Sequence, residues 1–368
     1  MLYKEYGNTG KKVSAIGMGG MRFKKEDYLD GDYEKCAEIV KCAYQNGVNY
    51  FDTAPGYCDD KSELILGAAF RQMKGTFYVS TKCGLWNAKT ADDARRMLEQ
   101  SLKRLNVERI TFYHMWNMKT MDDYYEYMKK GGIYEGAKKA QEEGLIEHLC
   151  FSTHMPGEDI ATVAQSGAFD GVTLGYNALN FAYRQKGVDA CHACGMGVVT
   201  MNPLGGGIIP QHPEYFSFIN QSSGDSLAVA ALKFIVAQKE ITVALNGTAS
   251  VQEMKEGVLA AENVRPSTKR DLDEMKKNLT GKLNELCTGC GYCNECPVGV
   301  PIPRLMDGYN DYILSGRKES IESRMRNHWG LGIQSAADCI KCGKCEKLCT
   351  QKLPIIRRLG EISDLLNP

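Results

Sequence analysis

Eight short apolar runs, separated by stretches with helical spacing, occupy the chain up to about residue 260. They are "VSAIGMGG", "VNYFDTAP", "TFYVSTK", "ITFYHMW", "EHLCFSTH", "GVTLGYN", "GVVTMNPLGGG" and "ITVALNG". Each is rich in Val, Ile, Phe, Tyr and Thr and none alternates cleanly, as expected of strands buried on both faces of a parallel sheet. Between them, "YEKCAEIVKCAYQNG" is apolar at helical spacing and closed by Gly47, and "TADDARRMLEQSLKRLNV" opens on a capping box of Thr90 and Asp93. Eight strand-helix units spread over about 250 residues point to a closed (β/α)8 TIM barrel, an α/β fold. The rival is a doubly wound sheet, which normally shows GxGxxG at its first strand-to-helix turn. Here "GMGGMRF" supplies Gly17, Gly19 and Gly20 but has Arg22 where the third glycine should stand, so the rival loses ground.

The pattern changes near Arg265, where Pro266 and Ser267 precede a polar helical stretch, "TKRDLDEMKKNLTGKLNEL". Residues 1–265 are read as the barrel, 266–282 as a linker helix and 283–368 as a small second domain. Lys+Arg and Asp+Glu both number 45, a balance that gives no reason to expect a nucleic-acid or membrane partner. No apolar run approaches the roughly 18 residues needed to span a bilayer, and the N-terminus lacks the apolar core of a signal peptide, so a cytoplasmic location is expected.

Fifteen cysteines matter through their placement, with seven scattered from Cys36 to Cys194 and eight crowded into residues 287–349. A secreted disulfide scaffold does not account for the eight, and metal ligation in a reducing compartment does. The first group is Cys287, Cys290, Cys293 and Cys296 followed by Pro297; the second, "CIKCGKCEKLC", is Cys339, Cys342, Cys345 and Cys349. A CxxCxxC run places three thiolates on one tight loop, where they hold three corners of a cubane cluster while a distant cysteine supplies the fourth. Structural zinc is the alternative, although zinc sites usually show paired CxxC units. The two groups resemble the bacterial two-cluster ferredoxin module, which implies two [4Fe-4S] clusters in an α-rich ferredoxin-like iron-sulfur domain. It also implies crossed ligands: Cys287, Cys290, Cys293 and Cys349 for one cluster, and Cys339, Cys342, Cys345 and Cys296 for the other. The spacing departs from that module before Cys296, and Thr350 stands where the module has proline. Cys191 and Cys194, a CxxC with no second pair nearby on a predicted helix, are read as structural.

Three polar residues fall at the C-terminal ends of successive predicted strands, where barrel enzymes place their chemistry. Asp52 follows "VNYF", Lys82 follows "FYVST" and His114 follows "ITFY", with Tyr57 in the loop after Asp52. A tyrosine with an ordinary pKa near ~10 is a poor acid at neutrality, and an adjacent ammonium such as Lys82 stabilises its phenolate. Asp52 would hold Lys82 charged and in position, and His114 would donate a hydrogen bond to a substrate carbonyl. The set suits adding hydride to a carbonyl carbon while Tyr57 protonates the oxygen.

"FDTAPGY", "STK", the histidine in "FYHMWN" and "GTAS" in the eighth βα loop resemble the aldo-keto reductase superfamily, specifically the bacterial branch with a C-terminal 4Fe-4S module. The resemblance covers essentially the whole chain. It implies a (β/α)8 barrel, an NAD(P)H-dependent carbonyl or alcohol reaction, and the tetrad Asp52, Tyr57, Lys82 and His114. It also implies dinucleotide contacts: Gly20 and Met21 in the first loop, Ser152 and Thr153 at the carboxamide, and Met201 where most members have a stacking aromatic. Asn202, Leu204 and Gly205 match the pyrophosphate side, Gly247, Thr248 and Ser250 the phosphate loop, and Glu256 the adenine contact. Glu253 occupies the position where NADP-specific members carry arginine; a carboxylate there repels a 2′-phosphate and gives NADH weight over NADPH.

Hydride transfer moves two electrons together whereas each cluster passes one, so something must split the pair, usually a flavin. The sequence shows no flavin fingerprint but leaves a flavin open, since barrel flavin sites often carry none. Three readings follow: an NAD(P)H-dependent reductase of a small carbonyl or alcohol with an accessory cluster domain, a cluster-driven electron-transfer protein working with a ferredoxin or other redox partner, and a binding protein whose barrel has lost its dinucleotide.

Overall fold

Each of the eight apolar runs contains one strand of a single closed, parallel barrel. The computed structural model describes residues 1–220, 224–279 and 285–365. The barrel strands are β3 (Ile16–Gly19), β4 (Tyr50–Asp52), β5 (Tyr78–Gly84), β6 (Ile110–Met118), β7 (Ile146–Thr153), β8 (Gly171–Gly175), β9 (Gly197–Met201) and β10 (Val243–Gly247). Closure comes from β10, which pairs with β9 at Val243↔Val199 and with β3 at Ala244↔Ile16. The register sets Gly19 beside Asp52, Asp52 beside Ser80, and Lys82 beside His114.

The interleaved helices are α1 (Glu34–Gln45), α2 (Ser62–Phe70), α3 (Ala91–Leu105), α4 (Ile133–Glu142), α5 (Gly157–Gln165), α6 (Phe181–Ala193), α7 (Leu227–Val236) and α8 (Val251–Val258). Helix α3 starts where the capping box requires it: Thr90 Oγ1 accepts from the Asp93 amide at 3.2 Å and Asp93 Oδ2 accepts from the Thr90 amide at 3.0 Å. It stops at Asn106 in the left-handed region, at φ 54°.

An antiparallel hairpin of β1 (Tyr3–Glu5) and β2 (Lys12–Ser14) precedes the barrel. Its connecting turn begins at Tyr6, whose ring is fully buried beneath the strands and stacks on Phe112 with centroids 3.9 Å apart, among Tyr50, Val199 and Val243. This aromatic seal needs two glycines. A Cβ on Gly171 or Gly197 would stand 2.3 or 2.2 Å from Tyr6 atoms, closer than side chains approach. The hydrophobic core therefore fills the N-terminal end of the barrel, and the polar residues at the strands' C-terminal ends are left for chemistry.

The chain divides into two compact units, Met1–Pro203 with Asn220–Thr268, and Leu204–Ile219 with Lys269–Pro368. The sequence reading gave all of residues 1–265 to the barrel, whereas Leu204–Ile219, in the seventh βα loop, groups with the second unit. Local reasons are visible inside that unit: His212 Nε2 lies 3.1 Å from Asp311, Arg324 donates to Gln211 Oε1 at 2.6 Å, and a Cβ on Gly206 would meet the Thr288 carbonyl at 2.6 Å. Such partners lie far away in sequence and leave no local signal.

The second unit also holds α9 (Lys269–Asn278), α10 (Ile302–Ser315), α11 (Glu319–Trp329), α12 (Lys344–Leu348) and α13 (Ile355–Asp364). Helix α9 covers most of the expected linker helix; the end of that linker and the start assigned to the second domain lie outside the described residues. Among the described residues, no helix is long and apolar enough to cross a membrane.

Candidate active site and thiol groups

At the C-terminal end of the barrel, β4 and β5 bring Asp52 and Lys82 together out of water. Lys82 is 2% exposed, its Nζ lies 2.7 Å from both carboxylate oxygens of Asp52, and it donates to the Thr53 carbonyl at 2.6 Å. Burial pulls the Lys82 pKa down and the Asp52 carboxylate works against that pull. All three ammonium protons are engaged below, so the cation acts on its other neighbour through its field. That neighbour is Tyr57, whose ring centroid lies 5.3 Å from Lys82 Nζ.

Tyr57 is presented by an unusual turn. Gly56 has φ 86°, and Cys58, Asp59 and Asp60 follow with φ of 52°, 51° and 66°, three consecutive side-chain-bearing residues in the left-handed region. Each costs on the order of 1–2 kcal/mol, so the turn persists only if its surroundings enforce it. Asp60 does so, accepting from the Gly56 amide at 3.0 Å and taking a two-pronged grip from Arg104 at 2.8 and 2.7 Å. Asp59 is tied to Lys25 at 2.9 Å and accepts from the Tyr28 hydroxyl at 3.2 Å. On its open side Tyr57 meets Trp116 edge to face at 5.5 Å, and Trp116 in turn packs on Trp86 at 4.4 Å, leaving Trp86 57% exposed.

His114 sits behind this group and is fully buried. Ser80 Oγ donates to Asp52 Oδ1 at 2.7 Å, so it can only accept from His114 Nδ1 at 3.3 Å, and His114 Nε2 must then accept from Thr173 Oγ1 at 3.0 Å. Burial, reinforced by the Lys82 ammonium, pushes the His114 pKa down to about 3, which keeps the ring neutral. Both ring nitrogens are thus spent within the barrel. The structure brings Asp52, Lys82 and Tyr57 together and buries His114, the register partner of Lys82, against Ser80 and Thr173; Trp116, two residues along β6, is the side chain against Tyr57.

The expected dinucleotide contacts are dispersed around the strand ends. The Gly20 amide donates to the Asp52 carbonyl at 2.8 Å, and Met21 is exposed. Ser152 and Thr153 are buried and engaged with backbone: Ser152 Oγ accepts from the Asn117 amide at 2.8 Å, and Thr153 Oγ1 donates to the Met118 carbonyl at 2.9 Å. Met201 packs half-buried on the core, and Asn202, at φ 59°, accepts through its carbonyl from Asn177 Nδ2 at 3.0 Å. Leu204 and Gly205 lie in the segment that groups with the second unit. In the eighth loop, Thr248 donates to Met254 Sδ at 3.8 Å, Ser250 caps α8 by accepting from the Glu253 amide at 3.2 Å, and Glu253 Oε2 accepts from the Ala249 amide at 2.8 Å. Glu256 accepts from the Ser226 hydroxyl.

Two residues were given no role at the site in the sequence. Asn177, at the end of β8, ties two loops together through both ends of its amide, a role that "GYNALN" does not announce. Arg22 lies along the eighth loop, its Cγ 2.9 Å from where a Cβ on Gly247 would stand. Gly247 thus has a basic neighbour from another loop.

In the second unit the two sequence groups of cysteines mix: Cys349 neighbours Cys287 and Cys293, Cys293 also neighbours Cys345, and Cys296 shares a cavity with Cys339, Cys342 and Cys345. Cys287 interacts electrostatically with Cys290, Cys293 and Cys349, and burial followed by these neighbours raises its thiol well above the usual range and that of Cys293 to about 12. The Cys287 peptide is clamped by Asn310, which accepts from its amide at 2.7 Å and donates to its carbonyl at 2.8 Å. Thr350, in place of the expected proline, has its hydroxyl 3.4 Å from Cys290 Sγ. The other set, Cys296, Cys339, Cys342 and Cys345, lines one cavity whose wall is completed by Val300, Ile302, Ile356 and Leu359. Among the described residues, no group of three or more His, Cys, Asp or Glu side chains is placed to hold a single metal ion. Four thiols around an apolar cavity fit a multi-iron centre, which spreads its ligands over several metal ions.

The profile of the aldo/keto reductase family matches residues 15–279, which span the barrel. The chain belongs to the aldo/keto reductase family. It is accordingly an oxidoreductase, and a 4Fe-4S dicluster domain matches residues 286–353. Among relatives, L-galactose dehydrogenase of Arabidopsis thaliana is 27% identical over 286 residues, covering 69% of this chain and 86% of that protein. NADH-specific methylglyoxal reductase of Escherichia coli is 24% identical over 223 residues, 55% of this chain and 67% of that protein. The structure of an aldo-keto reductase from Bacillus halodurans superposes with a TM-score of 0.65 over 76% of this chain and 97% of that one, at 19% identity, a likeness of fold.

Proposed function

We propose that this aldo/keto reductase reduces a small-molecule carbonyl, or oxidises the corresponding alcohol, with Tyr57 as the proton donor and acceptor. The observation that carries the reading is the buried Lys82–Asp52 pair beneath the Tyr57 ring. When Tyr57 gives its proton to a substrate oxygen, the ammonium favours the phenolate left behind, and Asp52 keeps that ammonium oriented. The chain Thr173 to His114 to Ser80 to Asp52 points every donor toward the carboxylate, so His114 positions Asp52 instead of meeting substrate. The two indoles beside Tyr57 exclude water from one side of the reacting centre and suit an apolar carbonyl compound.

A bound reduced nicotinamide supplies the hydride. The barrel mouth fits such a group: Asn117, 8% exposed beside Ser152, has a side-chain oxygen with no hydrogen-bond partner among the described residues and suits the carboxamide. Glu253, folded onto the eighth loop, stands in the sequence where NADP-specific relatives carry arginine, and its carboxylate would repel a 2′-phosphate, which supports a preference for NADH. Titration of the anaerobically purified protein, followed by tryptophan fluorescence, tests the pairing. NADH is expected to bind more tightly than NADPH, and binding of neither overturns the dinucleotide reading.

We assign Cys287, Cys290, Cys293 and Cys349 to one [4Fe-4S] cluster and Cys296, Cys339, Cys342 and Cys345 to a second. The two spatial sets support this crossed arrangement. Passage of single electrons to a ferredoxin-like partner is the further possibility that two such centres open. Anaerobic EPR of the reduced protein with and without NADH tests it, since no cluster signal on adding NADH would separate the clusters from the hydride reaction.

A further inference from the structure

The second unit buries a guanidinium that its described residues pair only weakly. Arg358, on α13, is 0% exposed, and its Nε and Nη1 have no hydrogen-bond partner among the described residues. Among the described residues only Nη2 reaches a carboxylate, that of Glu285, at 3.5 Å, and the Glu285 side chain is 60% exposed. A distant, solvent-screened carboxylate is a weak partner for a cation taken out of water, and two unpaired N–H groups add to the penalty. The burial needs another counter-charge.

The groups around Arg358 narrow its identity. Tyr309 supplies a ring face with its centroid 4.9 Å from the guanidinium carbon, and its hydroxyl is already committed to Glu361. Arg357, next in the chain, opposes the charge, while Glu285 and the Cys287 sulfur favour it. Helix α10 ties these parts together, since Tyr309 lies against the guanidinium and the adjacent Asn310 clamps the Cys287 peptide on both sides. Among the described residues, the remaining neighbour able to carry negative charge is the half-buried Cys287, as a thiolate in a four-thiolate centre.

We propose that Arg358 is the internal counter-cation of the centre held by Cys287, Cys290, Cys293 and Cys349, and that it biases this centre toward its reduced state. The proposal rests on the cluster assignment above. Four thiolates outweigh the positive charge of an iron-sulfur core, so the assembled centre is an anion, and one-electron reduction makes it more negative. A fixed cation in a poorly screened interior stabilises the reduced form more than the oxidised one. The other thiol set has no such device among its cavity-lining residues: its one basic residue, Lys344, has a side chain 52% exposed and 3.7 Å from Glu295. The two centres are thus expected to differ in potential, and the unassisted one serves as an internal reference.

The test is a redox titration of the full-length, cluster-loaded protein under anaerobic conditions, followed by EPR, for the wild type, Arg358→Met and Glu285→Gln. In Arg358→Met, one of two one-electron transitions is expected to move to lower potential by at least a tenfold change in the reduced-to-oxidised ratio, about 59 mV, while the other stays put. Glu285→Gln removes only a surface carboxylate, so it should fold and load normally. It is expected to move the same transition the opposite way. Unmoved transitions in both variants, or equal movement of both transitions, would overturn the role of Arg358. If Arg358→Met fails to load iron, Glu285→Gln decides alone. A wild type that binds no iron and shows no one-electron transition would refute the cluster assignment itself, and the proposal with it.

Discussion

At the scale of single residues, the site turns on who holds whom. Replacing Tyr57 with Phe removes the proposed proton donor and leaves the ring that packs on Trp116. Carbonyl reduction is expected to fall at least ~100-fold in kcat with dinucleotide affinity unchanged, as steady-state kinetics and fluorescence titration would show. His114 gives a pH prediction. Its pKa is near the ordinary value of 6.5 in the unfolded chain and about 3 in the folded one, so between those values the unfolded state binds more protons. Stability is then expected to fall as pH drops from about 6.5 toward 3, and His114→Asn should flatten part of that slope in thermal melts against pH. His154, also buried and lowered to about 3, accounts for a further part and remains in the variant.

At the scale of elements, the turn after Tyr57 shows how a local arrangement is enforced from outside. Arg104, on α3, grips Asp60 and also reaches Glu63, which is 1% exposed. Arg104→Ala is expected to cost about 1–3 kcal/mol, read as a lowered midpoint in urea, because it frees a strained turn and strips a cation from a buried carboxylate. Tyr6→Ala should cost about 3–5 kcal/mol by opening a cavity under the barrel. The eight strands and the α3 cap were legible because short β-branched runs and a Thr-x-x-Asp pair encode them locally. The hairpin was not, since three-residue strands carry no period. Nor was the depth of His114: strand alternation puts residues 114 and 116 on one face, but only the register against Lys82 and Gly84 shows which one reaches the rim. The cysteine spacing announced its chemistry, whereas Arg358, a lone basic residue in an amphipathic helix, announced nothing.

At the scale of the whole molecule, the chain passes from the first unit to the second after Pro203, returns at Asn220 and leaves again after Thr268. The expected pyrophosphate contacts Leu204 and Gly205 belong to the excursion, as do the buried side chains of Ile208, Ile209, Phe216 and Ile219. A protein truncated after Thr268 is therefore expected to bare those four side chains, aggregate more readily and bind NADH less tightly than the full chain, as light scattering and titration would show. The chain passes between the two units three times, so no single cut frees either one whole. A lineage that loses the cysteine tail would have to redesign a barrel loop in the same stroke, and an engineer who wants either half alone must first re-sew the seam at residues 204–219.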